Sequence, residues 1–141
     1  LIDTGTTTRP GTIVTGCAPT ELHEGGILLL SIFLRRRGWK VVYLGQAVAA
    51  SDLPQALADM QADVLVLSAT LPGSARELKN IQSQLKKIDR KQRPVFAYGG
   101  AAFNEFPDLC GKIEGTFLGE TIQLAVEAIE RLMADQKLVV K

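Results

Sequence analysis

The sequence predicts a single doubly wound α/β domain: a five-stranded parallel sheet with helices on both faces, three layers in all. Three observations predict it. Short β-rich apolar runs alternate with longer segments of helical period along the chain. The run DVLVLSA at 63–69 is apolar almost throughout, as expected of a strand covered on both faces. The length, 141 residues, suits one hydrophobic core.

The elements follow in order. TIVTGC (12–17) is the first strand, and residues 23–37 form a helix that is apolar on most sides. That helix closes on Arg35-Arg36-Arg37 and Gly38, and basic residues followed by glycine are ordinary C-terminal chemistry. KVVYLG (40–45) is the second strand. Ser51 is placed to cap the next helix, with Pro54 in its first turn and Leu53, Leu57 and Met60 on one face. After the third strand at 63–69, Leu78, Ile81, Leu85 and Ile88 set a helical period over 75–90. PVFAYGG (94–100) is the fourth strand; a shorter, irregular link leads to GTFLG (115–119), a short fifth. A last helix over 120–134 turns Ile122, Val126, Ile129 and Met133 inward.

Strands that alternate with helices make a parallel sheet covered on both sides. Five of them in a chain of this size fit the flavodoxin-like (Rossmann-like) arrangement, whose ligands bind beyond the carboxyl ends of the strands. Three unusual segments share that edge: TELHEGG (20–26) after the first strand, Ser68-Ala69-Thr70 after the third, and Gly99-Gly100 after the fourth.

Composition narrows the function. The net charge is +1 with acids and bases interspersed, so this piece has no basic surface signal for nucleic acid. The apolar run at 27–34 is too short for a membrane span and has its arginines behind it, whereas a signal peptide carries them in front. Cys17 and Cys110 match neither a disulfide framework nor a zinc spacing, which suggests a reducing compartment, the cytoplasm. The first residue is Leu1; residues 1–10 read as the remnant of a linker, 11–136 as the domain and 137–141 as a C-terminal tail.

Each feature of the shared edge is ordinary by itself. A histidine after a strand is commonly a surface or capping residue, a Gly-Gly pair a turn, a strand-end serine a cap. The spacing is more specific: Glu21-x-His23-x-x-Gly26, 41 residues (27 to 67), Ser68-x-Thr70, 28 residues (71 to 98), then Gly99-Gly100. This pattern resembles the cobalamin-binding domain family, whose signature is Asp-x-His-x-x-Gly, Ser-x-Leu and Gly-Gly at such separations. The resemblance runs from about residue 11 to about residue 135.

It implies a corrinoid bound with its dimethylbenzimidazole base displaced and His23 as the lower axial ligand of cobalt, a nitrogen donor that metal accepts. Glu21 would accept the other ring N–H and orient the imidazole. Gly26 would let the first helical turn pass close to the nucleotide tail. Ser68 would bond the buried base, Thr70 would line the same slot, and Gly99-Gly100 would leave room beside the fourth strand. Leu22, Glu24, Gly25 and Leu71 flank these positions and belong to the same binding face. Gly26 and Gly100 are then the places where an added side chain would fill the slot with the fold intact. Two residues depart from the family pattern. Glu21 is one methylene longer than the usual Asp, so its contact with His23 must differ or run through a water. Thr70 stands where Leu is usual.

The local pattern Pro19-x-Glu21-x-His23-Glu24-x-Gly26, followed by a leucine-rich helix and RRGW-x-VVYLG, is similar to the sensor branch of that family, the light-responsive MerR-type regulators. This resemblance implies adenosylcobalamin in preference to methylcobalamin, an upstream helical cap, a DNA-binding domain outside this chain, and an oligomeric full-length protein. It also implies a sensor in place of an enzyme. The alternative within the family is a corrinoid methyl carrier, or the cobalamin module of a methyltransferase or mutase. The chain holds no second histidine and no P-loop, so any chemistry would be the cofactor's. A receiver domain would need an acidic pair after the first strand, where Cys17-Ala18-Pro19 stands, and an Asp at Ser68. A flavin site would need a Ser/Thr-rich phosphate loop after the first strand, and Thr15 and Thr20 do not make one.

Overall fold

The computed structural model describes residues 6–140. Its sheet has the strand order β2-β1-β3-β4-β5, all neighbours parallel, with β1 (Thr12–Cys17), β2 (Lys40–Tyr43), β3 (Val64–Ser68), β4 (Val95–Gly99) and β5 (Thr116–Phe117). The chain steps outward from β1 to β2, then returns to the other side of β1 for β3. The order in which strands are added therefore reverses between β1 and β3, and a ligand crevice opens at such a point.

Period-two alternation assigns side chains to the two faces. On one face Ile13, Cys17, Val66 and Ala97 pack beneath α1 (Gly25–Arg36) and α6 (Ile122–Val140). Ser68 and Gly99, two residues on from Val66 and Ala97, fall on this face too. On the other, Val14, Leu65, Leu67, Phe96 and Tyr98 form the larger core under α2 (Leu53–Met60), α3 (Pro72–Glu77), α4 (Ile81–Leu85) and α5 (Ala101–Glu105). Tyr98 and Phe103 rings meet there with centroids 5.0 Å apart. The smaller residues of β3 and β4 thus face α1 and α6, and the bulky ones face away.

Several boundaries differ from the sequence reading. The first helix starts at Gly25, not at His23, so the histidine stays in the loop before it. Ser51 lies inside a 3₁₀ turn (Ala50–Asp52) and makes no capping bond; α2 starts after it, at Leu53. The segment 75–90 is not one helix but α3, a 3₁₀ turn (Leu78–Asn80) and α4. The turn is compatible with the apolar pattern because residues three apart eclipse in a 3₁₀ helix, which lets Leu78 and Ile81 both be buried. The last helix runs on to Val140, through residues 137–140 set apart above as a tail. It starts on Thr121, whose hydroxyl accepts the Leu124 N–H at 3.1 Å.

Of the segment read as a linker, residues 1–5 lie outside the described residues, as does Lys141 of the tail. Thr8 and Arg9 do pack: both amides donate to the Gly38 carbonyl, and the Arg9 guanidinium lies 5.1 Å from the Trp39 ring centroid. Trp39 Nε1 and the Arg37 guanidinium both donate to Glu130 of α6, at 2.7–2.9 Å. This ties the end of α1 to α6 on the side of the sheet away from the histidine loop.

Candidate functional site

The loop between β1 and α1 is held from both sides. Ala18 N–H donates to the Ser68 carbonyl, Ala47 N–H to the Glu21 carbonyl and the Gln46 amide to the Leu22 carbonyl at 2.7 Å. Thr20 adopts φ 72°, a costly conformation for a β-branched residue. Its hydroxyl meets that of the buried Ser74 at 3.0 Å. Glu24 gives α1 no side-chain cap; its carboxylate instead accepts a short hydrogen bond from the Tyr43 hydroxyl.

Glu21 is fully buried beside a His23 side chain that is 66% exposed. The carboxylate is saturated with donors. Oε1 accepts the Thr70 N–H and the Leu71 N–H at 3.3 Å. Oε2 accepts the Thr70 hydroxyl at 2.8 Å, the His23 N–H at 3.1 Å and ring Nδ1–H at 2.9 Å. The contact with the imidazole is therefore direct, and the longer side chain needs no bridging water. Burial by itself would push this carboxyl up. The hydrogen bonds from Thr70 and His23 prevail and hold it at about 2, below its ordinary 4.5. A carboxylate so satisfied keeps its charge, and a charged acceptor at Nδ1 keeps the proton on that nitrogen. Nε2 is then the ring nitrogen with a free lone pair, and it has no partner among the described residues.

Thr70 does not line the slot, as the sequence reading placed it. Its hydroxyl lies 3.1 Å from His23 Nδ1 and donates to Glu21, so it helps orient the ring. The two departures from the family pattern meet here: the longer carboxylate reaches the β3–α3 loop, and Thr70 supplies the hydroxyl that receives it. Leu22 and Leu71 are large exposed apolar residues on either side of this cluster.

The depressed Glu21 carboxyl carries a pH signature. A group held below its unfolded value stabilises the fold above that value and stops doing so as pH falls through the folded one. Its contribution is full above about 4.5 and lost on acidification toward 2. Glu21→Gln should be less stable than the parent near pH 6 and should converge with it in acid, measured by urea midpoints across that range. Parallel curves would show that this carboxylate is not linked to folding.

Beside the histidine loop a cleft of about 240 Å³ opens between α1, the ends of β3 and β4, and the start of α6. Gly26, Ser68, Gly99 and Gly100 line it. Gly25 does not; it is exposed, with open space where a Cβ would stand. The Ser68 residue is 9% exposed, and its hydroxyl has no partner among the described residues. The glycines differ in cause. A Cβ on Gly26 would meet no protein atom within 4 Å and one on Gly99 only Leu118, at 3.9 Å. On Gly100, at φ +121°, it would stand 2.2 Å from the Ala69 carbonyl oxygen. That glycine is required by the fold itself, so the expectation that it tolerates a side chain fails. The sequence reading missed the far wall, Leu118, Gly119, Glu120, Thr121, Ile122 and Ala125. A signal was present: GETI follows the fifth strand as TELHEGG follows the first.

Among the described residues no three His, Cys, Asp or Glu side chains converge to hold a metal ion. An ion at His23 would take its other ligands from a cofactor. No helix among these residues is long and apolar enough to cross a membrane.

The B12 binding domain family matches residues 11–135. The chain is 33% identical over 100 residues to the HTH-type transcriptional repressor CarH of Myxococcus xanthus, covering 71% of this chain and 33% of the repressor. It is 26% identical over 120 residues to trimethylamine corrinoid protein 2 of Methanosarcina mazei, covering 85% of this chain and 54% of that protein. A cobalamin-binding protein from Desulfitobacterium hafniense has the same fold, with a TM-score of 0.78 at 18% identity over 88% of this chain and 60% of that one. The chain thus spans between a third and about half of these curated relatives.

Proposed function

The chain belongs to the B12-binding domain family, and from that premise we propose that it binds its corrinoid with the nucleotide base withdrawn from the metal and His23 in its place. The observation that carries this reading is the imidazole itself: exposed, its Nδ1 fixed by a buried, saturated carboxylate, its Nε2 free. The other residues fit the group. The cleft beside the histidine has the unpartnered Ser68 hydroxyl on its floor and two glycines, Gly26 and Gly99, whose missing side chains leave open space. Glu21, with Thr70, orients the ring and directs its outer nitrogen away from the carboxylate. Leu22 and Leu71 offer apolar contact on either side.

We further propose that the domain is the sensory part of a longer regulator. The support is the Glu-x-His-Glu pattern, together with the similarity to a repressor over 71% of the chain. In this reading an upstream segment supplies a helical cap and the DNA-binding domain, while this nearly neutral domain makes no nucleic-acid contact. Both cysteines are free thiols, which supports a cytoplasmic setting. The preferred cofactor is adenosylcobalamin, which when bound supplies a cobalt–carbon bond that light can cleave. The domain's contribution is to hold the lower side of that group fixed, so that a change above it is felt by the cap.

A second reading, a corrinoid methyl carrier, has the 26% identity to a trimethylamine corrinoid protein behind it. The full-length protein loaded with adenosylcobalamin distinguishes them. The sensor should change its elution volume on size exclusion and its DNA affinity after green light. No change in either, with methyl transfer to or from a partner protein, would establish the carrier.

A further inference from the structure

Resting on the corrinoid reading above, we propose that the cleft between α1 and α6 selects among corrinoids by their nucleotide base, admitting a benzimidazole and discriminating against an adenine-type base. Natural corrinoids share the macrocycle and differ in this base. Both bases are bicyclic, and the chemistry of the walls in a cleft of about 240 Å³ decides between them more than size does.

The buried part of the cleft is apolar: Ile27 and Leu30 of α1, Val66 of β3, Leu118 after β5, and Ala125 of α6. One buried polar side chain faces it, Ser68. Two backbone amides beside Ser68 and the far wall are already used: Ala69 N–H donates to the Gly99 carbonyl at 2.9 Å and Leu118 N–H to that of Tyr98 at 3.0 Å. The cleft's other polar side chains, Asn104, Glu120 and Thr121, are exposed residues at its mouth.

A single hydroxyl offers one donor. A benzimidazole withdrawn from the metal presents one ring nitrogen with a lone pair, and the rest of its edge is hydrocarbon, so donor and walls are both matched. Adenine presents an exocyclic amine and several ring nitrogens. Ser68 can serve one of these, and the others would be stripped of water with nothing in exchange. The methyl groups of dimethylbenzimidazole would also be lost from contact with the aliphatic walls.

The test is a set of binding titrations of this chain in the dark, read by the absorption of the corrinoid, with cobalamin, its adenine-base analogue, and cobinamide, which has no base. Cobalamin should bind about 10- to 100-fold more tightly than the adenine analogue, the range an apolar pocket achieves against a polar isostere. Cobinamide should bind more weakly than cobalamin. Equal affinity for the two bases, with cobinamide weaker, overturns selection and leaves the slot reading standing. Equal affinity for all three overturns selection and base insertion together. Failure of all three to bind removes the corrinoid reading, and selection with it.

Discussion

Replacing His23 with alanine abolishes imidazole nitrogen coupling in the electron paramagnetic resonance spectrum of the cobalt(II)-loaded domain and weakens corrinoid binding; this is the expected result if His23 is the lower ligand. The chain contains one histidine, and loading with cobinamide, which carries no base, leaves no other imidazole to take over. Residues that only orient a metal ligand are worth about 10- to 100-fold in affinity, and the ligand itself should cost no less. The fold should be indifferent. The His23 side chain is 66% exposed, and substitutions at such positions usually change stability by about 0.5 kcal/mol or less. Glu21→Gln and Thr70→Val should keep the nitrogen coupling while lowering affinity, since they disturb orientation and not the donor. Identical spectra for the parent and His23→Ala would remove His23 from the metal.

Gly26→Leu and Gly100→Leu should fail in opposite ways. Gly26 stands in the first turn of α1 with nothing within 4 Å of an added Cβ, and glycine is a poor helix former by about 1 kcal/mol. The empty Gly26→Leu protein should therefore be as stable as the parent or more so, up to about 1 kcal/mol. Its corrinoid affinity should nevertheless fall about 10- to 100-fold, because the side chain stands in the cleft and overpacking costs about 1–3 kcal/mol. Gly100→Leu meets the Ala69 backbone at 2.2 Å, at a φ that side chains avoid, and should lose about 3 kcal/mol or more of stability before any ligand is added. Thermal melts of the empty proteins and corrinoid titrations separate the two. Gly26→Leu that binds like the parent would mean that the cleft is not where the nucleotide tail lies.

These predictions depend unequally on the two levels of description. The parallel sheet was legible because its strands are short and almost wholly apolar, and because the intervening segments repeat at helical spacing; few arrangements bury both patterns at once. The position of His23, Ser68 and Gly99 at one edge was legible for the same reason, since strand order in a doubly wound sheet brings the carboxyl ends of β1, β3 and β4 together. The broken helix at 72–85 was less so: α-helical and 3₁₀ turns can place the same apolar residues inward, and periodicity does not distinguish them.

What sequence could not supply was the partner of each polar group. Glu21 and Thr70 looked like two separate departures from a family pattern, yet they are 49 residues apart and bonded to each other, because the turns after β1 and β3 close on the same space. Gly99 and Gly100 are adjacent and looked equivalent, but one borders the cleft with room to spare and the other is pressed against the Ala69 backbone. The far wall of the cleft belongs to the loop after β5 and to α6, brought beside α1 only when the helices pack on one face of the sheet. Sequence determined the sheet, its edge and the chemical groups placed there, since these follow from local pattern and topology. Which hydroxyl meets which carboxylate, and which glycine makes room for a ligand and which for the backbone, was decided by tertiary packing, since those contacts form between loops that have no regular spacing to read.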